Sequence, residues 1–202
     1  MSAEPPRVIL WDLMDTLVHD PFYTHVPQFL GLEFQDLLKA KHPTAWGEFE
    51  LGRITEQELF DRFYQDGRPF DGPGMKRCMI EACRWVEGME ELLRDLARVP
   101  GLSMHLLSNY SCWYRDYVER LGIDRYVQPS FVSCDTGVRK PAPEAFRLPC
   151  RRLEVAPGEC LFIDDREKNC AAARAEGLDA IRFDGDAATL REQFARRRIA
   201  PV

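Results

Sequence analysis

The chain has no C-x-x-C pair, no Cys/His cluster at metal-ligand spacing, no long apolar run and no basic face. Each absence removes a class of function. Seven cysteines, at 78, 83, 112, 134, 150, 160 and 170, are odd in number and scattered. That pattern fits a soluble intracellular protein of a reducing compartment, with the thiols acting as small buried apolar groups, and it argues against a zinc site. No stretch approaches membrane-spanning length. A net charge of −6 gives no attraction to nucleic acid or to an acidic membrane, and no protein partner is indicated. The one basic run, Arg196-Arg197-Arg198, reads as a cationic helix end facing the negative pole of the helix dipole. Only seven residues precede the first apolar run, so a signal or transit peptide is not expected within this chain. What remains is a 202-residue chain, 45% hydrophobic and 30% charged, sized for one core with a modest insertion.

The elements fall in two styles. Val8-Ile9-Leu10-Trp11 is an apolar strand. From Pro21 to Cys83 the pattern is then helical, with Trp46, Phe49 and Leu51 on one side of a segment opened by His42-Pro43-Thr44. Thr55-Glu56-Gln57-Glu58 is a capping box, and Asp71-Gly72-Pro73-Gly74 a break before a helix reaching about Val86. After that, strand and helix alternate. Met89 to Ala97 is helical, Ser103 to Leu107 extended, and Trp113 to Leu121 helical. Phe131-Val132-Ser133 is a strand, and a helix over Glu144 to Leu153 should be kinked or shortened by Pro149. Leu161-Phe162-Ile163 is a strand, Glu167 to Glu176 a helix, and Ala180 to Phe183 a last strand before a final helix. Such alternation predicts an α/β fold, a doubly wound parallel Rossmann-like sheet with an inserted helical cap. The expected division is residues 1–20 and 84–202 for the core and 21–83 for the cap.

Four strand or loop ends carry the chemistry. Asp12 closes the first strand, and Ser108-Asn109 closes the second. Lys140 enters a Pro-rich helix start, Gly137-Val138-Arg139-Lys140-Pro141-Ala142-Pro143. Asp164-Asp165 closes a further strand, with Asn169 after it. Open α/β sheets build their sites at this carboxyl edge. A carboxylate attacking a phosphate monoester must have its repulsion from the dianion suppressed. A hard divalent cation on oxygen ligands does this, and Mg²⁺ suits the acidic cluster. Asp12 would then be the nucleophile and, with Asp164, a side-chain metal ligand, with Asp165 either touching the metal or bracing its ligands. Lys140 would balance charge and touch the phosphoryl group, which Ser108 and Asn109 would also bind.

In order and spacing, from Val8 to at least Asn169, these segments resemble the haloacid dehalogenase-like superfamily. The resemblance implies a Mg²⁺-dependent phosphatase working through an aspartyl-phosphate, with the Met14 backbone carbonyl as a further metal ligand. It also exposes a departure. Phosphatases of that superfamily carry a second aspartate where this chain has Met14. That aspartate protonates the leaving oxygen, and losing such a group costs roughly 10²–10⁴-fold. Asp15 is either a helix-entry cap or a substitute, and Asp20, Tyr23 and His25 are other candidate acids. His19, His42 and His105 read as structural. The superfamily's dehalogenase branch also lacks the second aspartate but works without Mg²⁺, which the Asp164-Asp165 pair disfavours.

The strings Asp12-Leu13-Met14-Asp15-Thr16, Asp20-Pro21-Phe22-Tyr23, Lys41-His42-Pro43, Trp46-Gly47-Glu48-Phe49-Glu50 and Phe162-Ile163-Asp164-Asp165-Arg166 are similar to the plant chloroplast flavin mononucleotide hydrolases. This resemblance implies FMN as substrate and, for the chain's setting, the chloroplast stroma. Aromatic side chains in the helical interval either stack on a flavin or form that segment's own core. Trp113 and Tyr114, just after Ser108-Asn109, either meet substrate or pack the next helix. Two other readings stay open. One is a binding or scaffold protein that keeps fold and metal; the other is a phosphatase for activated acyl or aryl phosphates.

Overall fold

The computed structural model describes residues 5–199. Its centre is a five-stranded, wholly parallel sheet in the order β3-β2-β1-β4-β5. The strands are β1 (Val8–Trp11), β2 (Ser103–Ser108), β3 (Gln128–Val132), β4 (Cys160–Asp164) and β5 (Asp179–Arg182). β1 is Val-Ile-Leu-Trp with every residue buried, as a central parallel strand covered on both faces requires. Its side chains alternate between two cores. Ile9 and Trp11 join one cluster, where Trp11 meets Phe194 edge-on, while Val8 and Leu10 join the other with Phe146 and Phe162.

Helices cover both faces. Between β1 and β2 lie a 3-10 turn (Pro21–Tyr23) and α1 (His25–Leu30), α2 (Phe34–Ala40), α3 (Ala45–Glu50), α4 (Glu56–Asp61), α5 (Gly72–Ala82) and α6 (Met89–Leu96). α7 (Tyr114–Leu121) leads to β3, and α8 (Ser133–Thr136) and α9 (Pro143–Leu153) lead to β4. α10 (Glu167–Ala175) and α11 (Ala187–Arg196) flank β5. The sequence-predicted α/β, doubly wound parallel sheet is present. No helix among the described residues is long and apolar enough to cross a membrane.

Local signals explain most boundaries. Thr55 accepts from Glu58 N while Glu58 returns to Thr55 N, the expected capping box. His42 Nδ1 accepts from Thr44 N and Ala45 N and so caps α3, a structural role. His105 is buried in β2 against Ser130 Oγ at 3.0 Å. Arg197, beyond α11, pairs with Asp179 at 2.6 Å.

Several expectations need correction. Gly72-Pro73-Gly74 is not a break but the first turn of α5, capped by Asp71, and α5 ends at Ala82. Ser133 opens α8 instead of ending β3. Its buried hydroxyl holds the turn by donating to the Glu50 carbonyl and accepting from Tyr110 N. α9 runs through Pro149 without shortening, because that proline is buried on the packed face. Asp15 caps no helix. It sits in the left-handed region (φ 55°) and accepts from Asp20 N at 2.9 Å. Trp113 is fully buried against Trp46, Phe49 and Phe60, and the Tyr114 hydroxyl bonds Asp135, so both pack structure.

Candidate active site

The predicted residues meet at the carboxyl ends of β1, β2 and β4. Asp12 N still donates to Ile163 O at 2.9 Å, so the strand pairing itself fixes where this carboxylate starts. Lys140 Nζ donates to Asp12 Oδ1 and to Asp164 Oδ2, each at 2.7 Å. Ser108 Oγ donates to Asp12 Oδ1 at 2.9 Å. The lysine is placed through its own backbone: Asn109 Oδ1 accepts from Lys140 N, and Asn109 Nδ2 donates to Lys140 O, both at 2.8 Å. Asp164 is completely buried and clamped, with Asn169 Nδ2 3.0 Å from each carboxylate oxygen and Arg166 N 2.8 Å from Oδ1.

Charge at this edge is unbalanced. Asp12, Asp164 and Asp165 bring carboxylate oxygens within 4.8 Å of one another. The single buried cation among them is Lys140, which is 4% exposed. Burial opposes its charge, but the two flanking carboxylates hold its ammonium above the ordinary lysine value. Asp165 is pushed up to about 6 by burial and then by the Asp12 and Asp164 charges. Its Oδ1 is buried and has no hydrogen-bond partner among the described residues. Three oxygen donors, an excess of negative charge and an unpartnered buried carboxylate oxygen fit a hard divalent cation such as Mg²⁺. Asp12, Asp164 and Asp165 are the side chains able to hold it, with the Met14 carbonyl on the same loop.

Above this edge lies a cavity of about 250 Å³, floored by Asp12, Ser108, Asn109 and Lys140. The helical segment supplies its roof and walls. Phe22, Tyr23, Phe34 and Trp46 line it, with Phe22 centred 5.7 Å from Trp46 and Tyr23 5.6 Å from Phe34. Of the other helical aromatics, Phe63 stacks on Phe70 at 4.4 Å, Phe49 and Phe60 pack on Trp113, and Phe29 is exposed. Met14 reaches the cavity and offers no proton. Of the candidate acids, Asp20 and Tyr23 line the cavity, whereas His25 faces a separate surface groove with Phe29 and Arg77.

Lys41, Glu50, Arg139 and Arg166, to which sequence reasoning assigns no role, all line the cavity. Arg139 and Glu50 lie 2.6 Å apart and tie α3 to the loop that carries Lys140. Adjacency to Lys140 was the one local signal that marked Arg139. Glu50 ends the string Trp46-Gly47-Glu48-Phe49-Glu50, which marked a resemblance but no role, and it otherwise sits in an ordinary amphipathic helix.

Comparison with known proteins points one way. Residues 6–177 match the profile of the haloacid dehalogenase-like hydrolases. The chain is 42% identical over 177 residues to flavin mononucleotide hydrolase 1, chloroplastic, of Arabidopsis thaliana, covering 88% of this chain and 72% of that protein. It is 26% identical over 221 residues to a phosphoserine phosphatase of Thermus thermophilus, covering 88% of each. Among solved structures, it resembles a haloacid dehalogenase family enzyme of Bacteroides thetaiotaomicron in its magnesium complex. That match has a TM-score of 0.78 at 21% identity, over 95% of this chain and 99% of that one.

Proposed function

The chain belongs to the haloacid dehalogenase-like hydrolases, and from that premise we propose that it is a Mg²⁺-dependent phosphatase releasing riboflavin and phosphate from FMN. The observation that carries the reading is the bridge of Lys140 Nζ between Asp12 and Asp164, at the floor of a cavity walled by aromatic rings. Asp12 attacks phosphorus and forms an aspartyl-phosphate, which water then cleaves. Lys140 holds the attacking carboxylate in place and offsets the phosphoryl charge; Ser108 orients Asp12 and, with Asn109, lies where phosphoryl oxygens would sit. Mg²⁺ bound by Asp12, Asp164, Asp165 and the Met14 carbonyl would supply electrostatic stabilisation of the transferring group. Residues 21–83 act as a cap over a core of 1–20 and 84–202, closing the cavity to water. The identity to the Arabidopsis protein supports FMN as substrate and the chloroplast stroma as compartment.

Met14 favours a second reading, turnover restricted to activated acyl or aryl phosphates that need no acid. A protein that binds but does not turn over is the third. Phosphate release from FMN and from a panel of small phosphates, with and without Mg²⁺, separates them. The expected result is FMN turnover that falls to background in Asp12→Asn. Unchanged turnover in that variant would sink the covalent mechanism, and Mg²⁺ binding with no turnover of any substrate would leave the binding protein.

A further inference from the structure

Expelling an alkoxide from phosphorus at useful rates calls for a proton at the bridging oxygen, and Met14 has none to give. Besides Asp12, the oxygen acids lining the cavity are Asp20, Tyr23, Glu50 and Tyr110. The Tyr110 hydroxyl is buried against that of Tyr117 at 3.1 Å, and burial pushes its phenol far up, away from acid duty. Glu50 is engaged on both sides, by Trp46 Nε1 at 2.6 Å and by Arg139 at 2.6 Å. Tyr23 is 44% exposed, and burial of its remaining surface raises its phenol, which makes it a weaker acid.

Asp20 is different. The turn leaving β1 folds it back over the site. Asp15, in its left-handed conformation, receives Asp20 N on Oδ1 at 2.9 Å, while Asp15 N donates to Val18 O at 2.6 Å. Asp20 Oδ1 accepts from Phe22 N at 2.9 Å, which fixes the carboxyl plane. Its Oδ2 receives no hydrogen bond among the described residues.

We propose that Asp20 is the general acid–base of this site, standing in for the carboxylate that Met14 displaces; the inference rests on the phosphatase reading above. In the first step an Asp12 carboxylate oxygen bonds to phosphorus as the bond to the bridging oxygen breaks. The electron pair stays on that oxygen, which takes the Asp20 proton and leaves as the alcohol. In the second step a water oxygen bonds to phosphorus and gives one proton to the Asp20 carboxylate. The bond from phosphorus to Asp12 then breaks, restoring both groups. The chemistry suits a carboxyl raised to about 6 by burial, with Asp15, Glu50 and Arg166 as the charged groups that face it.

The test compares FMN with p-nitrophenyl phosphate, whose leaving group departs without a proton, using the Mg²⁺-loaded wild-type protein and Asp20→Asn. In the variant, kcat/KM for FMN is expected to fall roughly 10²–10⁴-fold. With p-nitrophenyl phosphate the variant should release one equivalent of nitrophenolate in a burst and then stall, gaining the mass of one phosphoryl group. Asp20→Glu should recover part of the FMN rate and guards against a folding defect in the first variant. Equal losses of kcat/KM on both substrates, or an unchanged FMN rate, would overturn the assignment. A wild-type protein inactive on both substrates would instead overturn the phosphatase reading beneath it.

Discussion

Asp20 is held in the cavity at the expense of stability. Burial lifts its carboxyl from the ordinary 3.8 to about 6. Between those values the folded protein keeps a proton that the unfolded chain has released. Stability therefore falls as pH rises through this window, by on the order of 3 kcal/mol once both values are passed. Asp20→Asn keeps an oxygen for Phe22 N and removes the titration. It is expected to melt higher than wild type at pH 7.5 and to match it near pH 4, as read by thermal denaturation. A variant that melts higher yet turns over FMN more slowly is the usual trade between stability and activity. Asp12, Ser108, Lys140 and Asp164 were legible in the sequence because each ends an apolar strand or opens a helix, and strand ends in a parallel sheet converge. Asp20 was visible only as one candidate among several. What separates it from His25 is the left-handed turn at Asp15, which no local pattern announces.

At the scale of elements, the helical segment meets the sheet through close backbone contact. Gly52, just after α3, has φ +65°, and a Cβ there would stand 2.4 Å from the Cys134 carbonyl oxygen at the start of α8. Two hydrogen bonds converge on the same joint: Ser133 Oγ donates to Glu50 O at 2.5 Å and accepts from Tyr110 N at 3.0 Å. Gly52→Ala adds both left-handed strain and a clash with backbone, and is expected to cost about 1–3 kcal/mol. A lower urea midpoint with an unchanged slope would register it. The elements themselves were largely readable, since short apolar strands alternate with capped helices. Two of the misreadings share one cause: Ser133 and Pro149 behave as their tertiary partners dictate, and local propensity is outweighed. Docking of α3 onto α8 has no periodic signature, so the Glu50–Arg139 tie was invisible too.

For the molecule as a whole, the cavity of about 250 Å³ is smaller than the roughly 300–1,000 Å³ that encloses a drug-sized ligand. A flavin nucleotide thus calls for the helical segment to swing outward or for the ring to project past Tyr23. Metal loading should be felt globally, because the carboxylates proposed to hold it, Asp12, Asp164 and Asp165, lie at the ends of β1 and β4 in the middle of the sheet. Mg²⁺ at a hundredfold excess over its Kd is expected to stabilise the fold by about 2.7 kcal/mol. Calorimetric melting with and without EDTA measures this, and Asp164→Asn should abolish the shift. The strand order has a consequence for biogenesis. β1 is translated first, yet its neighbours β2 and β4 begin at Ser103 and Cys160. At roughly 5–20 residues per second, the second flank arrives roughly 7–30 seconds after the first strand leaves the ribosome. Both edges of this apolar ribbon stand open until β2 emerges, and one stays open until β4 does, so the strand that ends at Asp12 is, during synthesis, the natural client for a chaperone.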